Sequence, residues 1–238
     1  MMANAKTPAT FRRSQRERSE TMQKRVLEAT LYCIGQKGYQ YTSLLDIAQA
    51  ADVSRGAITH HFVSKLELCA AAIRYFVDWR QMVVTKAMET RRCESQADRL
   101  DALWETFLDV FPITLEILIA LRADRELRQL VDRRGERNFE KIITGYGGLF
   151  TDASGLHLPR SVMSMITAFF RGLYIETLAT GPEEIAEIKA EFDIALLHVL
   201  ERHGLAESGL DAILNKRFVG QLAPAEAPLK MPDHLKSA

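Results

Sequence analysis

The segment from Thr42 to Lys65, TSLLDIAQAADVSRGAITHHFVSK, constrains the fold more tightly than any other part of the chain. Ile47 and Ala48 fall on the inner face of a short helix, Ala51 and Val53 bracket a tight turn, and Ile58 and Phe62 face inward from a second helix. Two helices that cross steeply touch over a small area, so their contact needs small or compact apolar residues such as Ala48. Ser54 is placed to cap the second helix, and Gly56 in its first turn lets the backbone approach another surface closely. Ser64-Lys65-Leu66-Glu67 has the spacing of a capping box for a third helix, with Val63 and Leu68 as its hydrophobic staple. The pattern is a helix-turn-helix.

Its chemistry lies in the residues outside the core pattern. Arg55, Ala57, Thr59, His60 and His61 mostly point outward from the second helix. Arginine can pair bidentately with a guanine edge, and Thr or Ala can touch a thymine methyl. Thr42, Ser43, Ser54 and Lys65 stand at helix starts, where hydroxyls, backbone N–H groups and a cation can hold phosphates. His60 and His61 do not form a metal pair, because adjacent helical positions diverge by about 100°; a polar surface or phosphate role suits His60. Charge supports a polyanion-facing end. Ten basic and five acidic residues through Leu66 give +5, and the remaining 172 residues, with 21 basic and 26 acidic, carry −5. Arg12, Arg13, Arg16 and Arg18 extend this character into the N-terminal stretch.

Elsewhere helical spacing dominates and strand-type alternation is nearly absent, which predicts an all-α fold. A first helix runs from Glu20 to Lys37-Gly38, and others cover 43–51, 55–61, 65–90, 96–110, 113–122, 126–150, 160–180 and 183–203, with Pro112, Pro159 and Gly181-Pro182 as breaks. The expected organisation is a flexible basic arm (1–18), a three-helix DNA-binding domain (19–66), a helical bundle joined to it by a long helix (67–204), and an extension (205–238) with one more short helix near Leu210–Gln221 before a loose tail. Cys33, Cys69 and Cys93 have neither disulfide nor zinc spacing, and Cys69 fits an apolar helix face as a core residue. No run approaches the roughly 18 apolar residues of a membrane span, and no apolar leader precedes the first helix. A cytoplasmic protein without metal or cofactor is expected. No nucleophile–base pair or metal set points to an enzyme.

Residues 20–75, with QKGYQYTS, DIAQAADVS and SRGAITHHFVSK, resemble the DNA-binding domain of the tetracycline-repressor-like (TetR/AcrR) family of transcription regulators. The resemblance implies a second motif helix lying in the major groove, with Arg55, Gly56, Ala57, Thr59 and His61 facing bases and Thr42 and Lys65 gripping phosphate. Thr59 stands where the family most often has Tyr, and Asp52 where the turn usually has Gly; Asp tolerates the left-handed conformation well enough to keep the turn. The family also implies an effector held inside the bundle, for which Trp79, Trp104, Phe107, Phe111, Phe139, Tyr146, Phe170 and Tyr174 are candidates, with Arg122 as an anion partner. The helix at 160–180 is apolar on two sides and a further stripe follows Pro182; by resemblance to the family these two helices form a four-helix dimer interface through Val162, Ile166, Phe169, Leu173, Ile188, Phe192, Leu196 and Val199. The implied function is a homodimeric repressor that leaves a palindromic double-stranded operator when a small, largely apolar effector binds. The alternatives are a DNA-binding adaptor without ligand control and, more remotely, an enzyme using the bundle.

Overall fold

The computed structural model describes residues 15–91, 96–132 and 159–204. Its helices are α1 (Gln15–Lys37), α2 (Leu44–Ala51), α3 (Arg55–His61), α4 (Lys65–Arg91), α5 (Gln96–Ala123), α6 (Arg125–Val131), α7 (Arg160–Glu176) and α8 (Pro182–Arg202). The fold is all-helical, with a helix-turn-helix region followed by a C-terminal helical region. α1 begins before Glu20, so Arg16 and Arg18 belong to a helix rather than an arm. Good helix formers across Gln15–Arg18, and Glu17 near the positive end of the helix dipole, favour that extra turn.

Three apolar clusters organise the chain. Val26, Ala29 and Cys33 of α1, Ile47, Ala48 and Ala51 of α2, Ile58 of α3 and Leu68 of α4 form the first. The second joins Leu31 and Ile34 to Cys69, Ile73 and Phe76 of α4, Val110, Ile113 and Ile117 of α5, and Leu127 and Val131 of α6. The third packs Leu103, Trp104, Phe107 and Phe111 of α5 against Val162, Ile166 and Phe170 of α7 and Ile185, Leu196 and Leu200 of α8. Cys33 and Cys69 are buried in these clusters, and burial pushes their thiols up to about 11 and about 12. Cys93, and the helical extensions expected beyond Val131 and Gly204, lie outside the described residues.

Pro112 does not break α5, contrary to expectation. It removes one backbone bond to Leu108, yet Val110, Phe111, Ile113 and Ile117 are all at most 3% exposed. Phe111 belongs to one cluster and its neighbours Val110 and Ile113 to another, so packing on both sides holds the helix through the proline. Pro159 and Pro182, by contrast, stand at helix starts: Pro159 is the N-cap of α7 and Pro182 begins α8.

The expected dimer residues need correction. Val162, Ile166, Leu173 and Leu196 are at most 5% exposed within the chain itself, because α7 and α8 turn these faces onto α5. Phe169 and Phe192 stack at 3.6 Å between ring centroids and, with Val199, are only partly buried, while Ile188 is exposed. The outward stripe of α7 is instead Met165, Ala168, Gly172 and Ile175.

α5 and α8 also share a buried ionic knot. Lys189, 3% exposed, donates to Asp101 Oδ1 at 3.0 Å and to Asp193 Oδ2. Burial raises the pKa of both carboxyls, and the ammonium opposes that shift. Removing it strands two buried carboxylates. Lys189→Met should lower stability at neutral pH by about 3–5 kcal/mol. With the cation gone, the folded carboxyls titrate still further above their ordinary value of 3.8, so the loss should shrink as pH falls toward that value. Urea unfolding of both proteins across pH checks it.

Candidate nucleic-acid interface

α2 and α3 are eight and seven residues long, well short of the roughly 12–15 residues at which isolated helices become even marginal. Their ends are therefore fixed explicitly. At the start of α2, Asp46 N–H donates to Ser43 Oγ (3.1 Å), and Ser43 N–H and Oγ–H donate to Asp46 Oδ2 (2.8 and 2.6 Å), a complete capping box. Lys37 Nζ adds a bond to Asp46 Oδ1 at 2.6 Å. At the end of α2, Asp52 takes the left-handed conformation (φ 49°, ψ 54°). Asp52 N–H reaches Gln49 C=O at 3.1 Å and Val53 N–H reaches Ala48 C=O at 3.0 Å, which is a Schellman motif with aspartate in the glycine position. Arg25 closes this corner by donating to Ala51 C=O at 2.6 Å.

α3 starts with Ala57 N–H donating to Ser54 Oγ at 3.1 Å. Ile58 is fully buried, while Arg55, Gly56, Thr59 and His60 are exposed. Ala57 and His61 are half-buried. His61 Nδ1 accepts from the Gln23 amide at 2.8 Å, so that ring edge is tied to α1. Thr59 Oγ–H donates back to Gly56 C=O at 3.1 Å. A Cβ on Gly56 would meet nothing nearer than Ser54 Oγ, 3.8 Å away. The fold therefore does not need glycine there. The rings of His60 and His61 meet edge-on, and no group of three or more candidate metal ligands occurs among the described residues.

Two phosphate candidates are engaged elsewhere. Thr42 is 1% exposed and its hydroxyl donates to Gly38 C=O at 2.8 Å. Lys65 Nζ donates to the carbonyls of Tyr39 (2.9 Å) and Gln40 (3.4 Å), over the Tyr39 ring. Both residues fasten the loop entering α2, because a backbone turn needs partners for its carbonyls before any ligand does. Ser43 and Ser54 keep exposed positions, with their oxygens in caps. The third cap departs from its expected form. Glu67 N–H donates to Ser64 Oγ, but the Glu67 carboxylate accepts from Val63 N–H, and Val63 is 89% exposed rather than stapled to Leu68. Tyr41 and Leu45 are also exposed, at 78% and 61%. The sequence signal for all three was their position just before, within or just after the two motif helices.

The candidate effector residues divide. Trp104, Phe107, Phe111, Phe170 and Tyr174 form one set of ring contacts, with centroids 4.6–5.9 Å apart. Trp79 lies apart, against Phe76 in the second cluster. Arg122 is exposed in the last turn of α5, where a cation complements the helix carbonyl end and remains hydrated. Phe139 and Tyr146 lie outside the described residues.

Residues 26–72 match the family described as bacterial regulatory proteins, tetR family. The HTH-type transcriptional regulator CymR of Pseudomonas putida is 35% identical over 134 residues, which cover 53% of this chain and 64% of CymR. The HTH-type transcriptional regulator BetI of Serratia proteamaculans is 30% identical, over 66% of this chain and 80% of BetI. YfiR of Bacillus subtilis, an uncharacterized HTH-type transcriptional regulator, is 27% identical over 77% of this chain and 93% of its own length. The chain belongs to the tetR family of bacterial regulatory proteins, which are DNA-binding transcriptional regulators and not enzymes. No helix among the described residues is long and apolar enough to cross a membrane.

The α2 cap carries a pH dependence. Lys37 and Ser43 hold the Asp46 carboxyl well below its ordinary value of 3.8. A depressed folded pKa contributes order that is complete above 3.8 and is lost as pH falls through and below it. Amide exchange at Ser43–Ile47 should accelerate in that range relative to the rest of the core, and Asp46→Asn should abolish the difference.

Proposed function

We propose that the protein is a homodimeric, sequence-specific repressor that leaves a twofold operator when a small, largely apolar effector enters its bundle. The outer face of α3 carries this reading: Arg55, Gly56, Thr59 and His60 are exposed on a helix whose inward residue, Ile58, is fully buried. In this reading Arg55 reads a base edge, and Gly56 and Ala57 allow close approach to the groove. Thr59 and the free edge of His61 add groove contacts, while Ser43, Ser54 and His60 meet phosphates. Tyr41, Leu45 and Val63 join the same contact zone as apolar partners of the sugar backbone. The site of action is the cytoplasm, where the operator is. The DNA-binding head covers residues 19–66 and the effector-binding bundle 67–204.

One recognition helix reads few base pairs, so specificity favours two heads held about one DNA turn apart. The exposed stripe Met165, Ala168, Gly172 and Ile175 on α7, beside Ile188, Ala195 and the partly buried Phe169–Phe192 pair, suits a second copy of the chain. Its small residues at helical spacing permit close helix approach. For the effector, Trp104 Nε1 in the aromatic cluster and Asp193 Oδ1 in the ionic knot are buried without hydrogen-bond partners. They favour an apolar molecule bearing at least one hydrogen-bonding group.

Selecting duplexes from a random library should recover a twofold site. Arg55→Ala should then relax preference at one or two positions in each half-site, by about 1–3 kcal/mol. Gly56→Ala should leave thermal stability unchanged or raise it, by up to about 1 kcal/mol, while weakening operator binding. Equal loss of stability and binding in Gly56→Ala, or recovery of no site, would refute the reading. Ile175→Asp should convert the dimer to a monomer in sedimentation at micromolar concentration and abolish binding to the full site.

A further inference from the structure

The loop between α1 and α2 is held from three directions. Gly38 begins it with a left-handed conformation (φ 81°), and a Cβ there would stand 3.1 Å from Glu116 Oε2 of α5. Lys65, at the start of α4, donates to the Tyr39 and Gln40 carbonyls. The Tyr39 hydroxyl donates to Asp124 Oδ2 at 2.9 Å, across 85 positions of sequence. Asp124 is also the N-cap of α6, and its Oδ1 accepts from Leu127 N–H at 2.9 Å. One carboxylate therefore fixes both the start of α6 and the loop that delivers α2. Burial and the neighbouring carboxylate raise the Tyr39 pKa, which keeps the hydroxyl a donor throughout the neutral range.

We infer that Tyr39 is a positioning residue: through Asp124 it sets the orientation of the helix-turn-helix relative to the bundle, and so the separation of the two reading helices in the dimer. This rests on the repressor reading above. α4 is a covalent link between head and bundle, and Leu31 and Ile34 of α1 pack with α5 and α6 in the second cluster. Apolar packing carries no direction of its own, whereas the Tyr39–Asp124 bond adds a directional attachment to α6. α6 is itself tied to α4, since Arg74 donates to Leu130 C=O at 2.8 Å. A shift of α6 thus moves both attachments together. Tyr39→Phe removes only the hydroxyl and leaves the ring under the Lys65 ammonium, so the loop's own bonds survive.

The test uses the full-length protein and the duplex selected with it, together with the same duplex lengthened by one central base pair. Wild-type protein should prefer the selected spacing. Tyr39→Phe should compress that preference about fivefold or more, at the lower end of ordinary coupling between sites, chiefly by weakening the selected duplex. Tyr75→Phe is the control, because it removes a bond of the same kind, from Tyr75 to Glu28 Oε1 at 2.7 Å, between α1 and α4. It should lower the melting temperature while leaving the spacing preference unchanged. A merely structural role for Tyr39 would reduce binding to both duplexes equally, and an unchanged ratio in Tyr39→Phe would overturn the inference. Equal compression by Tyr75→Phe would overturn it as well, by showing that any loosening of the head has this effect. If the wild-type protein selects no twofold duplex, the repressor reading itself falls, and the inference with it.

Discussion

The helix-turn-helix depends on burying Ile47, Ala48, Ala51 and Ile58 against Val26, Ala29 and Leu68. Neither α2 nor α3 has the length to hold its own backbone bonds in water. Their tertiary cluster must do it, with the small residues Ala48 and Ala51 buried in it. Burial alone would still leave helix ends open, including those on either side of the three-residue corner Asp52–Ser54. Ser43, Asp52 and Ser54 close them with side-chain caps and one left-handed residue. The head is thus rigid where it is shortest, which leaves the outer side of α3 free to carry residues that packing does not require.

That rigidity extends into the bundle because the clusters share helices. α1 contributes Val26 and Cys33 to the first cluster and Leu31 and Ile34 to the second, while α4 contributes Leu68 to one and Cys69, Ile73 and Phe76 to the other. α5 then joins the second cluster to the third across Phe111 and its neighbours. Close-packed cores respond to strain by discrete rearrangement rather than gradual deformation. A change in the third cluster therefore reaches α4 through α5 without any flexible link, while the ionic knot at Lys189 ties α8 to the same helix.

Much of this was legible in the sequence because it is local. Caps, turn residues and small residues at a crossing act over three to six positions, and the helix boundaries from Ser43 to Lys65 followed from them. Readings that depend on distant partners fared differently. Pro112 looked like a break because its cost is local, whereas the packing that overrides it comes from α4, α6 and α7. Val162, Ile166, Leu173 and Leu196 looked suited to a partner because a helix apolar nearly all round does not reveal which side faces its own α5. Lys65 and Thr42 read as phosphate ligands because sequence shows their donors but not the Tyr39, Gln40 and Gly38 carbonyls that take them. The Tyr39–Asp124 bond left no periodic or spacing signal at all.

The composition of α3 makes best sense in this light. Gly56, Thr59, His60 and His61 are all weak helix formers, and four of them in seven residues is a poor choice for a helix judged by propensity. Gly56 is especially telling, since neither a left-handed backbone nor a neighbouring atom requires it. A helix whose stability came from its own residues would carry alanine there. Because the buried Ile58, the Ser54 cap and the Gln23–His61 bond supply the stability from outside that face, α3 tolerates residues whose value lies in hydrogen-bonding groups and an absent side chain. Gly56, Thr59 and His60, locally unfavourable choices that the core does not use, thus collect on the exposed surface of α3.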